Sequence, residues 1–229
     1  MGKPGIAAMA AAIALSCPGI AAAQGNWYAG ATLGQSRTSD DLVSNRESTV
    51  VNGSVTGSTF DAKDTAVRLF GGYRLAPWLS LEANYTDLGT AHLVTGTVAN
   101  DPPIPGTFSE SRSVTGFGAG LVLSAPVLDR GSVFARVSAQ RARTQADATL
   151  DGNIVFTTGN SGDRHRSASV NQTIATYALG GEWMLNSALG LRLEWERWQK
   201  VGRAFAVGAS GTTGEADIDF YSVGLLYRF

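Results

Sequence analysis

LGLRLEWE, residues 189–196, sets Leu189, Leu191, Leu193 and Trp195 against Gly190, Arg192, Glu194 and Glu196. A strict period of two is the signature of a β-strand whose two faces meet different surroundings. Just before it, across the short connection NSA (186–188), TIATYALGGEWML sets Tyr177, Leu179 and Trp183 against Thr176, Gly180 and Glu182. The same alternation recurs upstream. Leu79, Leu81, Ala83 and Tyr85 face away from Ser80, Glu82, Asn84 and Thr86, and Val67, Leu69 and Tyr73 face away from Arg68 and Gly72. It returns in the final stretch, where Tyr221, Val223, Leu225, Tyr227 and Phe229 oppose Ser222, Gly224, Leu226 and Arg228, with Phe220 an aromatic exception in the second set.

Eight such strands are read along the chain: NWYAGATLG, TAVRLFGGYRL, WLSLEANYTDLG, SVTGFGAGLVLS, SVFARVSAQRAR, TIATYALGGEWML, LGLRLEWERWQ and IDFYSVGLLYRF. Each is near the length that crosses a bilayer at a tilt. The connections alternate. Those after strands two, four and six are short and hold Pro77, Pro126, Asp129, Gly131, Asn186 and Ser187. Those after strands one, three, five and seven are long and polar, as in VANDPPIPGTFSE (98–110) and DGNIVFTTGNSGDRHRSASV (151–170). Several long structureless connections are unusual in a compact soluble domain. Short turns at one end and long loops at the other are the pattern of an outer-membrane barrel.

Composition agrees. Of 229 residues, 44% are hydrophobic and 16% charged, below the quarter usual for soluble domains, and the net charge is -1. Nothing basic points to nucleic acid. Lys3, the apolar run IAAMAAAIALS and the small residues of AAAQ read as a secretory signal over residues 1–23, cleaved after Ala23, with residues 24–229 as the barrel domain. A lipoprotein cleavage would instead make Cys17 the first mature residue, but ALSCP has Ala14 where that signal prefers leucine, and Pro18 follows. With cleavage after Ala23 the mature chain has no cysteine and no disulfide.

Periodicity alone does not say which face turns inward, since a soluble barrel would hide its apolar side. The aromatics decide. Trp27, Tyr73, Trp78, Tyr85, Trp183, Trp195, Tyr227 and Phe229 lie near strand ends, where lipid interfaces place aromatic girdles. The expected fold is therefore all-β: an eight-stranded antiparallel up-and-down transmembrane β-barrel with short periplasmic turns and long extracellular loops. A barrel of eight strands has room for packed side chains but not for a wide channel. Because unpaired backbone is costly in lipid, the last strand must close on the first.

GGYRLAPWLSLEANYTDLG, the terminal YRF, WYAGATLG and GGEWMLNSALGLRLEWERW resemble the OmpA-type N-terminal transmembrane β-barrel family over essentially the whole mature chain. The resemblance implies an interior ion network, carried here by Glu82, Arg136, Glu182, Arg192 and Glu194, with Arg68 on the same face. It also implies a C-terminal signal read by the barrel-assembly machinery: Ser222, Gly224, Tyr227 and Phe229 in SVGLLYRF. Family members with a small conductance switch a strand-three carboxylate between a strand-four lysine and a strand-seven arginine, whereas VTGFGAGLVLS contains no Lys or Arg. Larger members add a peptidoglycan-binding domain, and none is expected here, since the last strand takes up the C-terminus.

Other chemistry is sparse. GFGAG (116–120) lies inside a strand with no helix following, so it is not read as a phosphate loop. His92 and His165 fall in separate connections, a poor ligand set, so no metal and no cofactor is expected. His92 with Thr86 or Thr90 would be the pair of a lipid-modifying hydrolase, but no triad is legible. The expected function is a structural or surface-interaction role through the extracellular loops, with a narrow ion or small-solute pore and a lipid-modifying enzyme as alternatives. The expected partners are outer-membrane lipid and lipopolysaccharide, the assembly machinery and an unidentified surface ligand, with the chain a monomer in the bacterial outer membrane.

Overall fold

The computed structural model describes residues 25–39, 50–51, 53–100, 102–152, 155–156, 162–202 and 216–229. The signal segment, its cleavage site and Cys17 lie outside the described residues. Among the described residues there are eleven strands: β1 (Trp27–Thr38), β2 (Val50–Val51), β3 (Gly53–Asp61), β4 (Lys63–Ala76), β5 (Leu79–Ala99), β6 (Pro105–Leu128), β7 (Gly131–Gly152), β8 (Val155–Phe156), β9 (His165–Met184), β10 (Leu189–Val201) and β11 (Ala216–Arg228). Eight of them, β1, β4, β5, β6, β7, β9, β10 and β11, pair antiparallel around a closed ring. The seam is β1 against β11, with Tyr28 opposite Arg228 and Leu33 opposite Val223. Phe229 extends it, donating its N–H to the Trp27 carbonyl at 3.1 Å. Closure removes both sheet edges within the membrane, as lipid requires.

The lipid face is the apolar one. Leu193 is 62% exposed, and Trp78, Leu121, Val137 and Tyr221 are likewise exposed. Arg68, Glu82, Arg136 and Arg192 point inward and are fully buried. Trp27 and Tyr73 meet edge-on at 4.8 Å between ring centroids, and Tyr227 and Phe229 at 5.1 Å, near the end that carries the short turns. The turn before β10 is closed by Asn186, whose Oδ1 accepts the N–H groups of Ala188 (2.9 Å) and Leu189 (2.7 Å).

The structure corrects two expected loops. Residues 98–99 and 105–110 of the first and 151–152, 155–156 and 165–170 of the second are strand, and β5, β6, β7 and β9 run to 21, 24, 22 and 20 residues. A tilted membrane crossing needs only about 9–11. These four strands, with β3 added alongside β5, form a tall extracellular wall. The other side is short, with β1, β4, β10 and β11 of 12 to 14 residues. β5 leaves the membrane through a bulge between Asp87 and Thr90. Gly89 takes φ 76° there, a left-handed conformation that suits glycine, and its N–H is held by Asp87 Oδ1 at 3.0 Å. The extra residue shifts the phase of the strand. Tyr85 and Asp87 face out below it, His92 and Val94 above. Pro126, read as a turn residue, pairs with Ser132 inside the β6–β7 hairpin.

Candidate functional site

The inward face is built in layers. Near the short turns, Tyr28, Phe70 and Leu226 form a small buried apolar cluster with Met184 against it. Above lies an ion layer. Glu82 on β5 accepts from Arg68 of β4, Arg136 of β7 and Arg192 of β10, each at 2.7 Å. Glu194 on β10 accepts from Arg136 at 2.7 Å and from Arg192 at 2.9 Å, and also pairs with Arg68. Glu196 pairs with Arg136 at 2.9 Å and accepts from the Thr176 hydroxyl at 3.1 Å. Three buried arginines thus meet three buried carboxylates. A buried charge left unpaired is strongly destabilising, so this balance is what lets the layer exist. The Arg192 guanidinium also lies between the rings of Phe70 and Phe134, at 4.5 and 4.2 Å from their centroids, positions that favour cation–π attraction.

Glu182 sits lower, 3.5 Å from Arg192 and 3.3 Å from Arg228. The residues expected to form the interior network, Arg68, Glu82, Arg136, Glu182, Arg192 and Glu194, are thereby connected in space. Three connected residues were not assigned to the network from sequence: Glu196, Arg228, and Tyr28, whose hydroxyl donates to Glu82 Oε2 at 3.3 Å. Glu196 carried a readable signal, since it lies two residues from Glu194 and so on the same face.

A polar step follows, with Gln140 donating to Asn84 at 3.1 Å. Beyond it the lumen turns apolar: Ala66, Leu88, Val114, Ala142, Trp198, Val201, Ile218 and Phe220 pack together. Phe220, out of phase with its lipid-facing neighbours in sequence, points inward into this layer. Gly116, in the glycine-rich stretch of β6, lets it form, because a Cβ there would sit 2.7 Å from the Trp198 ring. Higher still, Leu93, Phe108, Ala146, Ala148 and Leu150 make a third apolar cluster on the inner side of the tall wall.

The residues expected to signal assembly line the seam. Ser222 faces inward opposite Gly34, Gly224 lies between Thr32 and Arg192, and Tyr227 and Phe229 face outward. The histidines are separate. His92 faces outward with Asp61 and Ser111 opposite it in register, and among the described residues no hydrogen bond joins it to either. Thr86 is no partner for His92, since it points inward, is fully buried and donates to Asn84 at 3.4 Å. His165 lies 3.9 Å from Asp147, both on the outer surface. Among the described residues no group of three metal-ligating side chains occurs.

The family model of the OmpA-like transmembrane domain matches residues 22–229. Outer membrane protein A of Shigella dysenteriae is 27% identical over 204 residues, which is 89% of this chain and 48% of that protein. The Klebsiella aerogenes protein of the same name is 27% identical over 203 residues, with the same coverage. The chain thus spans about half the length of the curated relatives it matches. Among solved structures, Neisserial surface protein A is 12% identical with a TM-score of 0.49, the match covering 89% of this chain and 97% of that one. The attachment invasion locus protein of Yersinia pestis is 13% identical with a TM-score of 0.44, covering 88% and 98%.

Proposed function

The chain belongs to the OmpA-like transmembrane domain family, and we propose that it works as a scaffold that holds a tall extracellular wall at the cell surface rather than as a pore or a catalyst. It is an integral β-barrel of the bacterial outer membrane. One observation carries the reading. The lumen is filled from the ion layer through Trp198 and Phe220, all fully buried, while four strands continue well past the lipid belt. A filled interior leaves the outer surface as the working part, and rigid scaffolds commonly present binding surfaces in this way. Outer-leaflet lipid and lipopolysaccharide are the partners that surround such a wall, an unidentified surface ligand fits its outer face, and the protein acts as a monomer. Ser222, Gly224, Tyr227 and Phe229 serve as the signal to the assembly machinery.

Planar-bilayer recording tests the central claim. Purified barrel is expected to leave the baseline flat. Discrete conductance steps that vanish in Glu82→Ala or Arg192→Ala would replace the scaffold with a narrow pore. Lipid A and phospholipid profiles are expected to be the same in cells with and without the chain. A modification that appears with the chain and disappears in His92→Ala would make it an enzyme.

A further inference from the structure

The outward charges are not distributed alike around the rim. On the short side, Arg197 of β10 holds both Asp217 (2.8 Å) and Asp219 (3.3 Å), and Arg37 of β1 lies opposite Asp219. On the tall side, β7 presents Arg141 and Arg143 outward and exposed, immediately above lipid-facing Val137 and Ala139. Their register neighbours are uncharged. Arg141 lies between Phe117 and Thr173, and Arg143 between Thr115 and Asn171. Arg141 donates to the Thr173 hydroxyl at 3.2 Å, an orientation that keeps its guanidinium along the strand surface. Asp87 is opposite Thr115 and so two strands from Arg143, about 10 Å away at ordinary strand spacing. Its carboxylate already receives the Gly89 N–H. Along β7 the next acid is Asp147, four residues past Arg143, about 13 Å on.

Phe117, 64% exposed to lipid, fixes the depth of this pair, because its register partner is Arg141 itself. The two guanidinium groups therefore stand where hydrocarbon gives way to headgroups. Two arginines on one face of a strand, two residues apart and flanked by hydroxyl and amide side chains, suit tetrahedral phosphate oxygens, which a guanidinium can grip with two donors at once. We propose that Arg141 and Arg143 form a binding site for a phosphate of the outer leaflet's own glycolipid, fastening the barrel to the lipid beside its tall wall. The inference rests on the membrane-barrel reading and assigns one of its partners a place.

The test uses the full chain, refolded in detergent with lipid A carrying both phosphates, and counts lipid A retained per barrel by native mass spectrometry. Wild type is expected to retain this lipid and to release dephosphorylated lipid A. Arg143→Gln is expected to lower retention roughly fivefold, and Arg141→Gln/Arg143→Gln about 25-fold, from the attraction of each basic side chain to an anionic surface. Arg37→Gln/Lys63→Gln removes the same charge from the short side and is expected to match wild type. Equal retention by wild type and the β7 pair, an equal fall in the Arg37/Lys63 pair, or indifference to the phosphates would overturn the site while leaving the barrel standing. A wild-type band that fails to shift on heating in detergent would overturn the barrel, and this site with it.

Discussion

A single strand, β7, carries two opposite patterns. In its lower half Val133, Val137 and Ala139 face out while Arg136 and Gln140 are buried inside. In its upper half Arg141, Arg143, Gln145 and Asp147 face out, and Ala142, Ala146, Ala148 and Leu150 are buried inside. The alternation never loses step; only its chemistry inverts. Lipid surrounds the first half and water the second, so the outside is apolar in one and polar in the other. The interior takes the complement: an ion layer where strands are fixed by charge pairing, then a core packed as in a soluble sheet. The molecule is a membrane barrel and a water-soluble sheet built on the same strands.

The interior of the lower half should be the more sensitive. Glu82 answers three arginines, so Glu82→Ala strips a partner from each. The expected loss is at the upper end of the roughly 3–5 kcal/mol typical of a broken buried pair, measured as the urea midpoint of refolded barrel in detergent. Removing Arg136 alone leaves the layer one charge out of balance. Arg136→Met with Glu196→Leu restores the balance and is expected to cost less than either single change. A double variant no better than the sum of its parts would mean that charge balance does not govern this layer.

In the upper half, Phe108→Ala opens a cavity beside Leu93 and Leu150 and is expected to cost about 3 kcal/mol. The damage should stay local. Hydrogen exchange should quicken in upper β6 and β7 while the heat-shifted gel band persists. Loss of the band would show that the two halves unfold as one.

That inversion also sets what could be read in advance. The lipid-level strands were legible because apolar residues alternate with charges at residues such as Leu191, Arg192 and Leu193. The wall was not. Above Asp87 the bulge at Gly89 shifts the phase of β5, and above Arg141 the outward residues of β7 are as polar as any loop. Polar outward residues with small apolar partners, such as Gln145 and Ala146, leave no hydrophobic stripe for a lipid-based pattern to find. In the ion layer, sequence supplied the face but not the contacts. Alternation says that Arg68, Glu82 and Arg192 point inward, whereas their meeting across the lumen depends on strand stagger and tilt. Phe220 broke the polar pattern of the inward set because it belongs to the inner apolar layer.

The outer surface offers the same contrast at a smaller scale. Val137→Arg places a charge in the lipid belt and is expected to cost about 2 kcal/mol, whereas Gln145→Arg, eight residues up the same strand, should stay within about 0.5 kcal/mol of wild type. Folding titrations into lipid vesicles would measure both. Equal costs would place the membrane boundary elsewhere.

The smallest effect belongs to the rim of the short side. Partial burial raises the affinity of the Asp217 carboxyl for its proton, but the N–H of Lys200 at 3.0 Å and the guanidinium of Arg197 at 2.8 Å outweigh it and hold Asp217 below the ordinary value of 3.8. A carboxylate depressed on folding stabilises above its unfolded value, and that contribution is lost as the pH falls through the folded one. The contacts lie at an exposed rim, so the loss should be about 0.5 kcal/mol. Protection of the Lys200 amide against exchange should therefore drop between pH 6 and pH 3 by more than the intrinsic change in exchange chemistry. Asp217→Asn should be unprotected at both. If protection is unchanged by acid in the wild type, the Arg197 pairing is not what secures this rim, and the acids beside it would no longer set the short side apart from the open arginines of β7.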